Sequence, residues 1–320
     1  MAHKAPGKAH REGITLLELA ARFPDEEAAR KWFEAQLWPI ERCCGHCGSA
    51  RTTEASHKTM PYWCSDCRSY FSVKTGTALA ASNVKLRKWV WAIYLELTSL
   101  KGVSSMKLHR DIGVSQKTAW FMLHRIREAF TRPGGAFAGP VEVDETYMGG
   151  REKNKPKGKR AGVKGGRAGK TTVIAAKDRK TRQVAARVID EATAPTLRGF
   201  VAEHAEPGAT VYTDGTSPYR GMTGYDHDVV RHSVGEYVRG MVHTNGVESF
   251  WSMLKRAHKG VYHKLSAKHL QRYVNEFAGR QNIRDKDTID QMRDVVCGLV
   301  GKRLLYRDLV AETDRSPVPT

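Results

Sequence analysis

No run of about 18 apolar residues occurs in the 320-residue chain, so no membrane-spanning helix is expected. The opening MAHKAPGKAHREG is basic but lacks the apolar stretch of a secretory signal. Acidic residues are in short supply: 34 Asp and Glu face 53 Lys and Arg, a formal charge of +19. Such an excess repels itself in a compact fold unless a polyanion shares the surface. Nucleic acid is the natural partner, because neutralising its phosphates releases condensed counterions. Cysteine is sparse and uneven, with five of the six residues crowded into positions 43–67. These features predict a cytoplasmic protein with no membrane partner, working on the cell's own DNA or RNA. In a reducing compartment such a cluster points to a metal rather than to disulfides.

Hydrophobic residues make up 40% of the chain and seven are tryptophan, which fits folded domains. Periodicity divides it into five regions. Residues 1–39 are a helical N-terminal region in which Ala28, Trp32, Phe33 and Leu37 recur at helical spacing. Residues 40–78 hold the cysteines, and residues 79–132 return to helical periodicity. Within them SSMKLHRDIGVSQKTAWFMLHRIREAF predicts a helix, a turn at Gly113 and a second helix capped by Ser115, a helix-turn-helix pattern. RPGG at 132–135 marks a boundary, after which residues 136–285 alternate between strand and helix patterns. A basic insert at 151–170 carries nine Lys or Arg and five Gly, and cannot build a core. Residues 286–320 form a C-terminal helix and tail.

Cys44-x-x-Cys47 and Cys64-x-x-Cys67 are separated by sixteen residues. Two such knuckles close a tetrahedral shell of thiolates, the geometry of structural zinc, and the short strands between them predict a zinc ribbon. Four ligands leave no open position, so the zinc would hold the fold. Cys43 is an adjacent spare, and Cys297 is expected to be a buried apolar filler.

Three acids stand on elements of different kinds: Asp144 in the strand VEVDETY, Asp214 at the end of ATVYTDG, and Glu248 near the start of a helix in HTNGVESFWSMLKR. Two strand aspartates followed by a helical glutamate match the arrangement that holds two divalent ions in an RNase H-like α/β fold, where hard cations take oxygen ligands. Glu142 and Glu145 flank Asp144 and are open alternatives to it. Val247, Phe250, Trp251 and Leu254 form the apolar stripe of that helix, with Glu248 and Lys255 together on its flank. Asn245 and Glu248 also have the spacing of a helix-capping pair. For DNA contacts, Gln116 and Lys117 lie beside the inward stripe of the second helix. In the insert, Lys153, Lys155, Lys157, Lys159 and Arg160 form a basic arm suited to tracking phosphates.

Taken together, CGHCG…YWCSDCRSYFSVKTGT, VEVDETYMGG, VYTDG and HTNGVESFWSMLKR resemble bacterial insertion-sequence transposases of the zinc-ribbon DDE type, and more narrowly the ISXO-like group, over about residues 15–285. The resemblance implies an RNase H-like catalytic domain in a bacterial, nucleoid-associated enzyme. Such an enzyme nicks element ends with water and joins the 3′-hydroxyls to target DNA, using magnesium or manganese. Asp144 and Asp214 match the first two acids. The third position varies in the group between Asn, His and Glu, so Asn245 stands beside the preferred Glu248, with His243 close by. Its DNA partners would be the element's terminal repeats and the target, and pairing two ends implies a homo-oligomer. A non-catalytic DNA-binding regulator, or a nuclease without strand joining, are the alternatives.

Overall fold

The computed structural model describes residues 11–131, 135–150, 169–214, 217–219, 221–230 and 242–311. The chain divides into two compact units, residues 1–132 with 283–320, and residues 133–282.

In the first unit, α1 (Leu16–Arg22) starts from a reciprocal capping box: the backbone N–H of Thr15 donates to Glu18 at 2.6 Å and that of Glu18 to the Thr15 hydroxyl at 3.2 Å. α2 (Glu26–Leu37) is capped by Asp25 and buries Ala29 and Phe33, with Trp32 and Leu37 at the margin of the core. Of the predicted stripe, Phe33, Trp32 and Leu37 reach the core, while Ala29 is fully buried in place of the half-buried Ala28. A three-stranded antiparallel sheet follows, β1 (Thr52–Glu54), β2 (Tyr62–Cys64) and β3 (Ser69–Phe71). α3 (Leu86–Thr98) is apolar on most sides, burying Trp89, Val90, Ala92 and Ile93, and so takes the centre of the unit.

α4 (Ser105–Ile112) and α5 (Gln116–Glu128) meet at Gly113, whose φ of 61° and ψ of 52° are left-handed, a conformation open to glycine at no steric cost. Ser104 and Ser115 accept the backbone N–H groups of Lys107 and Thr118, capping each helix, the second as the pattern predicts. α9 (Thr288–Gly298) adds Met292, Val295 and Val296 to the core that α2 and α3 build, and α10 (Tyr306–Val310) follows. The C-terminal segment thus returns to the N-terminal unit, which no sequence pattern announced. Cys297 is exposed, not buried as expected: with 292, 295, 296 and 299 turned inward, position 297 falls on the far side of the helix.

The second unit is built on β4 (Val141–Met148), β5 (Thr171–Asp178), β6 (Val184–Ile189), β7 (Thr210–Asp214) and β8 (Asp226–Val230), in the sheet order β6-β5-β4-β7-β8. The pairs β4–β5 and β5–β6 are antiparallel, whereas β4–β7 and β7–β8 are parallel. Helices cover both faces, which is why β5 reads as a near-continuous apolar run. On one face Val141, Val143, Ile174 and Ala176 pack on Leu197, Phe200 and Val201 of α6 (Ala194–His204). On the other, Met148, Val173 and Ala175 pack on Val247, Phe250, Trp251 and Leu254 of α7 (Asn245–Ala257) and on Leu270, Val274 and Phe277 of α8 (Ala267–Ile283).

Between α7 and α8 the chain makes a π-helical turn at His258–Tyr262 and passes through His263, at φ 57°. α8 then runs beside β6, where Asn282 bonds both the N–H and the carbonyl of Val184, and Gln271 accepts the N–H of Val188 at 2.7 Å. These amides stand in for a neighbouring strand and satisfy the open edge of the sheet. No helix among the described residues is long and apolar enough to cross a membrane.

Candidate metal centres and the acidic site

The ribbon brings the four predicted cysteines together. The thiols of Cys44, Cys47, Cys64 and Cys67 all lie within 4.8 Å of one another, with 3.7 Å between Cys44 and Cys67 and 3.6 Å between Cys47 and Cys64. Zinc–sulfur bonds of about 2.3 Å in a tetrahedron require sulfur separations of about 3.8 Å, so the cluster fits that ion. The first knuckle is closed by the N–H of Gly48 on the carbonyl of Cys44, and the N–H of His46 points at the Cys44 sulfur. Backbone N–H groups of Cys67 and Asp66 draw the Cys64 thiol down to about 7, towards the thiolate a metal needs. Beneath the cluster, Trp38 packs edge-on against Tyr62 and Phe71, and Arg30 and Glu34 of α2 both bond the Tyr62 hydroxyl.

In the second unit strand register decides which acids meet. Val143 pairs with Thr213 across the parallel β4–β7 ladder, so one residue further on Asp144 stands beside Asp214. Neighbouring residues in register project to the same face. For Asp144 that is the face beneath α7, since it pairs with Ala175 on β5, a member of the α7 core. Burial, then the charges of Asp214 and Glu145, push the Asp144 carboxyl up to about 7. One of its oxygens accepts the indole N–H of Trp251 at 3.0 Å.

Glu142 and Glu145, open alternatives to Asp144, are occupied elsewhere. Glu145 projects to the opposite face, where the buried Tyr219 hydroxyl donates to it at 2.9 Å. Glu142 shares the face of Asp144 but serves the start of α7: it accepts the N–H of Val247 at 2.9 Å and the guanidinium of Arg179 at 2.7 Å. Arg179 also donates to the carbonyl of His243 and lies over the Tyr212 ring, and Lys177 donates to the carbonyl of Gly246. His243 sits within this anchor, its Nδ1 at 3.5 Å from Glu142.

Glu248 and Asn245 are both exposed on the first turn of α7, and the buried Thr244 hydroxyl donates to Glu248 at 2.9 Å. Among the described residues the cysteines are the one set of three or more His, Cys, Asp or Glu gathered as ligands; Asp144, Asp214 and Glu248 do not form a second. Partial burial holds the Lys255 ammonium below its usual pKa; the charge of Asp144 opposes that shift, and Lys170 and Lys259 add to it. Gln116 and Lys117 are exposed; the amide of Gln116 donates to Ser105, and the Lys117 ammonium lies 4.4 Å from the centre of the Tyr306 ring. Lys153, Lys155, Lys157, Lys159 and Arg160 lie outside the described residues.

Sequence reasoning missed Arg179 and the polar use of Trp251. Nothing in periodicity separates a core tryptophan from one that also donates to a carboxylate.

Comparison with known proteins fits this layout. Residues 136–282, almost the whole second unit, match the ISXO2-like transposase domain. A protein of Halobacterium salinarum described as an uncharacterized protein in transposable element ISH50 is 32% identical over 249 residues, covering 73% of this chain and 83% of that protein. The chain is thus of the insertion-sequence transposase class. Within that class it belongs to the ISXO2-like transposase family.

Proposed function

We propose that the second unit is an RNase H-like catalytic domain that cleaves DNA at the ends of its element and transfers the freed 3′-hydroxyls to target DNA. In this reading Asp144, Asp214 and Glu248 hold magnesium or manganese. The observation that carries it is the pairing of Asp144 with Asp214: two carboxylates side by side, one pushed up to about 7 by burial and its neighbour's charge, form a site that a divalent cation would relieve. The sheet supports the fold assignment, since three antiparallel strands are extended by two parallel ones with the acids on the central pair. When bound, such ions activate an attacking oxygen and stabilise the leaving one at phosphorus.

The protein's own groups do the positioning. β4 and β7 carry the two aspartates, and α7, which packs on the same face of the sheet, carries Glu248 and, two turns further on, Lys255. Lys255, Lys170 and Lys259 supply positive charge for a phosphate beside Asp144. The basic insert tracks the DNA backbone, and α5 with Gln116 and Lys117 approaches a groove. Zinc in the four-cysteine site holds the ribbon. Two element ends must be joined in one event, so the working form is a homo-oligomer on DNA.

The test is magnesium-dependent cleavage and strand joining on DNA carrying the element's terminal repeats. Wild type should join strands, while Asp144→Ala and Asp214→Ala should bind DNA and do no chemistry. Cleavage without joining would point to a nuclease, and equal DNA binding by all proteins with no cleavage would point to a regulator.

A further inference from the structure

Trp251 is 3% exposed and lies in the apolar stripe of α7, so burial alone explains its ring. Burial does not explain where the ring's single polar atom points. The indole N–H is a donor only, and it meets Asp144 Oδ2 at 3.0 Å across the interface between α7 and the sheet. We propose that Trp251 is a positioning residue for the metal site: its N–H fixes the plane of the Asp144 carboxylate and sets the distance between that strand-borne acid and the helix that carries Glu248. The inference rests on the reading of Asp144 as a metal ligand.

The argument is geometric. A carboxylate on a strand turns about its terminal torsion, and each orientation presents different oxygens to an ion. A second partner removes that freedom, as partners behind metal ligands commonly do. Trp251 is one helical turn beyond Glu248 and one before Lys255, on the same side of α7. The three side chains are therefore carried by one rigid element, and the indole is the contact seen between that element and the acid. A phenylalanine would fill most of the same space without the tie.

Manganese affinity of the zinc-loaded full chain tests this without any turnover, by the loss of the free-ion electron paramagnetic resonance signal. Trp251→Phe is expected to bind manganese about tenfold to a hundredfold more weakly than wild type. In an Asp144→Ala background, which has no acceptor for the indole and is expected to bind weakly, Trp251→Phe should add no further loss. Should the Phe variant fail to fold, benzothienylalanine at position 251 keeps the ring's shape and removes the donor, and the same loss is expected. Wild-type affinity in a folded variant, or an equal further loss in the Ala background, overturns the proposal. Wild-type affinity in Asp144→Ala alone overturns something different, the assignment of Asp144 as a ligand, and the proposal falls with it.

Discussion

The carboxylate of Glu142 accepts the backbone N–H of Val247 at 2.9 Å, which ties the strand carrying Asp144 to the first turn of the helix carrying Glu248. The approach is so close that a Cβ at Gly246 would lie 2.6 Å from the Glu142 carboxylate oxygen. A side chain at 246 would therefore push the Glu142 carboxylate away from the Val247 N–H. Glu142→Ala would leave Arg179 without its buried carboxylate and the Val247 N–H without an acceptor. A loss of about 2–4 kcal/mol is expected in denaturant unfolding. Gly246→Ala should destabilise too, by about 1–3 kcal/mol as an overpacked site does. Near-wild-type midpoints for both would mean that the helix start is held some other way.

The Asp144 carboxyl gives a pH dependence whose sign can be worked out for the metal-free protein. Its native value of about 7 lies above the ordinary 3.8, so between those two values the native state holds a proton that the unfolded state has released. Stability from this group is therefore greatest at low pH and falls as pH rises towards 7. Asp144→Asn removes the titration and keeps an acceptor for Trp251. The variant should melt above wild type at pH 8 without divalent ions, and the difference should shrink towards pH 5. Equal melting temperatures across that range would show that the carboxyl titrates normally.

The parts that were legible in the sequence are those where a local rule and the tertiary fold agree. The cysteine spacing predicts a cluster that the ribbon brings within bonding distance of one ion, and Gly113 with Ser115 predicts the turn and the cap between α4 and α5. Asp144 and Asp214 could be placed on strands, but their adjacency depends on a parallel register between segments some seventy residues apart. The role of Glu142 was hidden for a related reason: its partners, Arg179 and the start of α7, are distant in sequence. β8 was missed because Asp226–Val230 is short and polar, and pairing with β7 rather than propensity makes it a strand. Cys297 shows the limit of composition: the residue type favours burial, but its position on α9 faces it outward.

The ribbon's core of Tyr62, Phe71, Cys44 and Cys64 is too small to carry residues 40–75 without a metal. One zinc per chain is expected by metal analysis, with Cys64→Ser losing it. Apparent binding energies of structural zinc are about 10 kcal/mol or more, so a strong chelator should unfold the ribbon rather than loosen it. Limited trypsin digestion would then cut at Arg51, Lys58 or Arg68, all exposed and protected only by the ribbon's own turns. An unchanged digestion pattern after zinc removal would mean that the sheet and the packing on α2 suffice.

On the proposed reading, the face of α7 favours Glu248 over Asn245 as the third acid. Trp251 donates to Asp144, so it marks the side of α7 turned to that acid. At about 100° per residue, Glu248 lies about 60° from Trp251, and Asn245 about 120° away. Thr244 already holds one Glu248 oxygen, which leaves the other for an ion. Glu248→Gln should lower strand joining by about a hundredfold to a thousandfold, the range for removing a group that acts on the reacting centre. Asn245→Ala should cost no more than the few tenths of a kcal/mol typical of an exposed site. The reverse result, an inactive Asn245→Ala and an active Glu248→Gln, would require α7 to rotate its first turn on binding DNA. The bond from Glu142 to Val247 would then have to break, so the Glu142→Ala variant would lose less joining activity than stability.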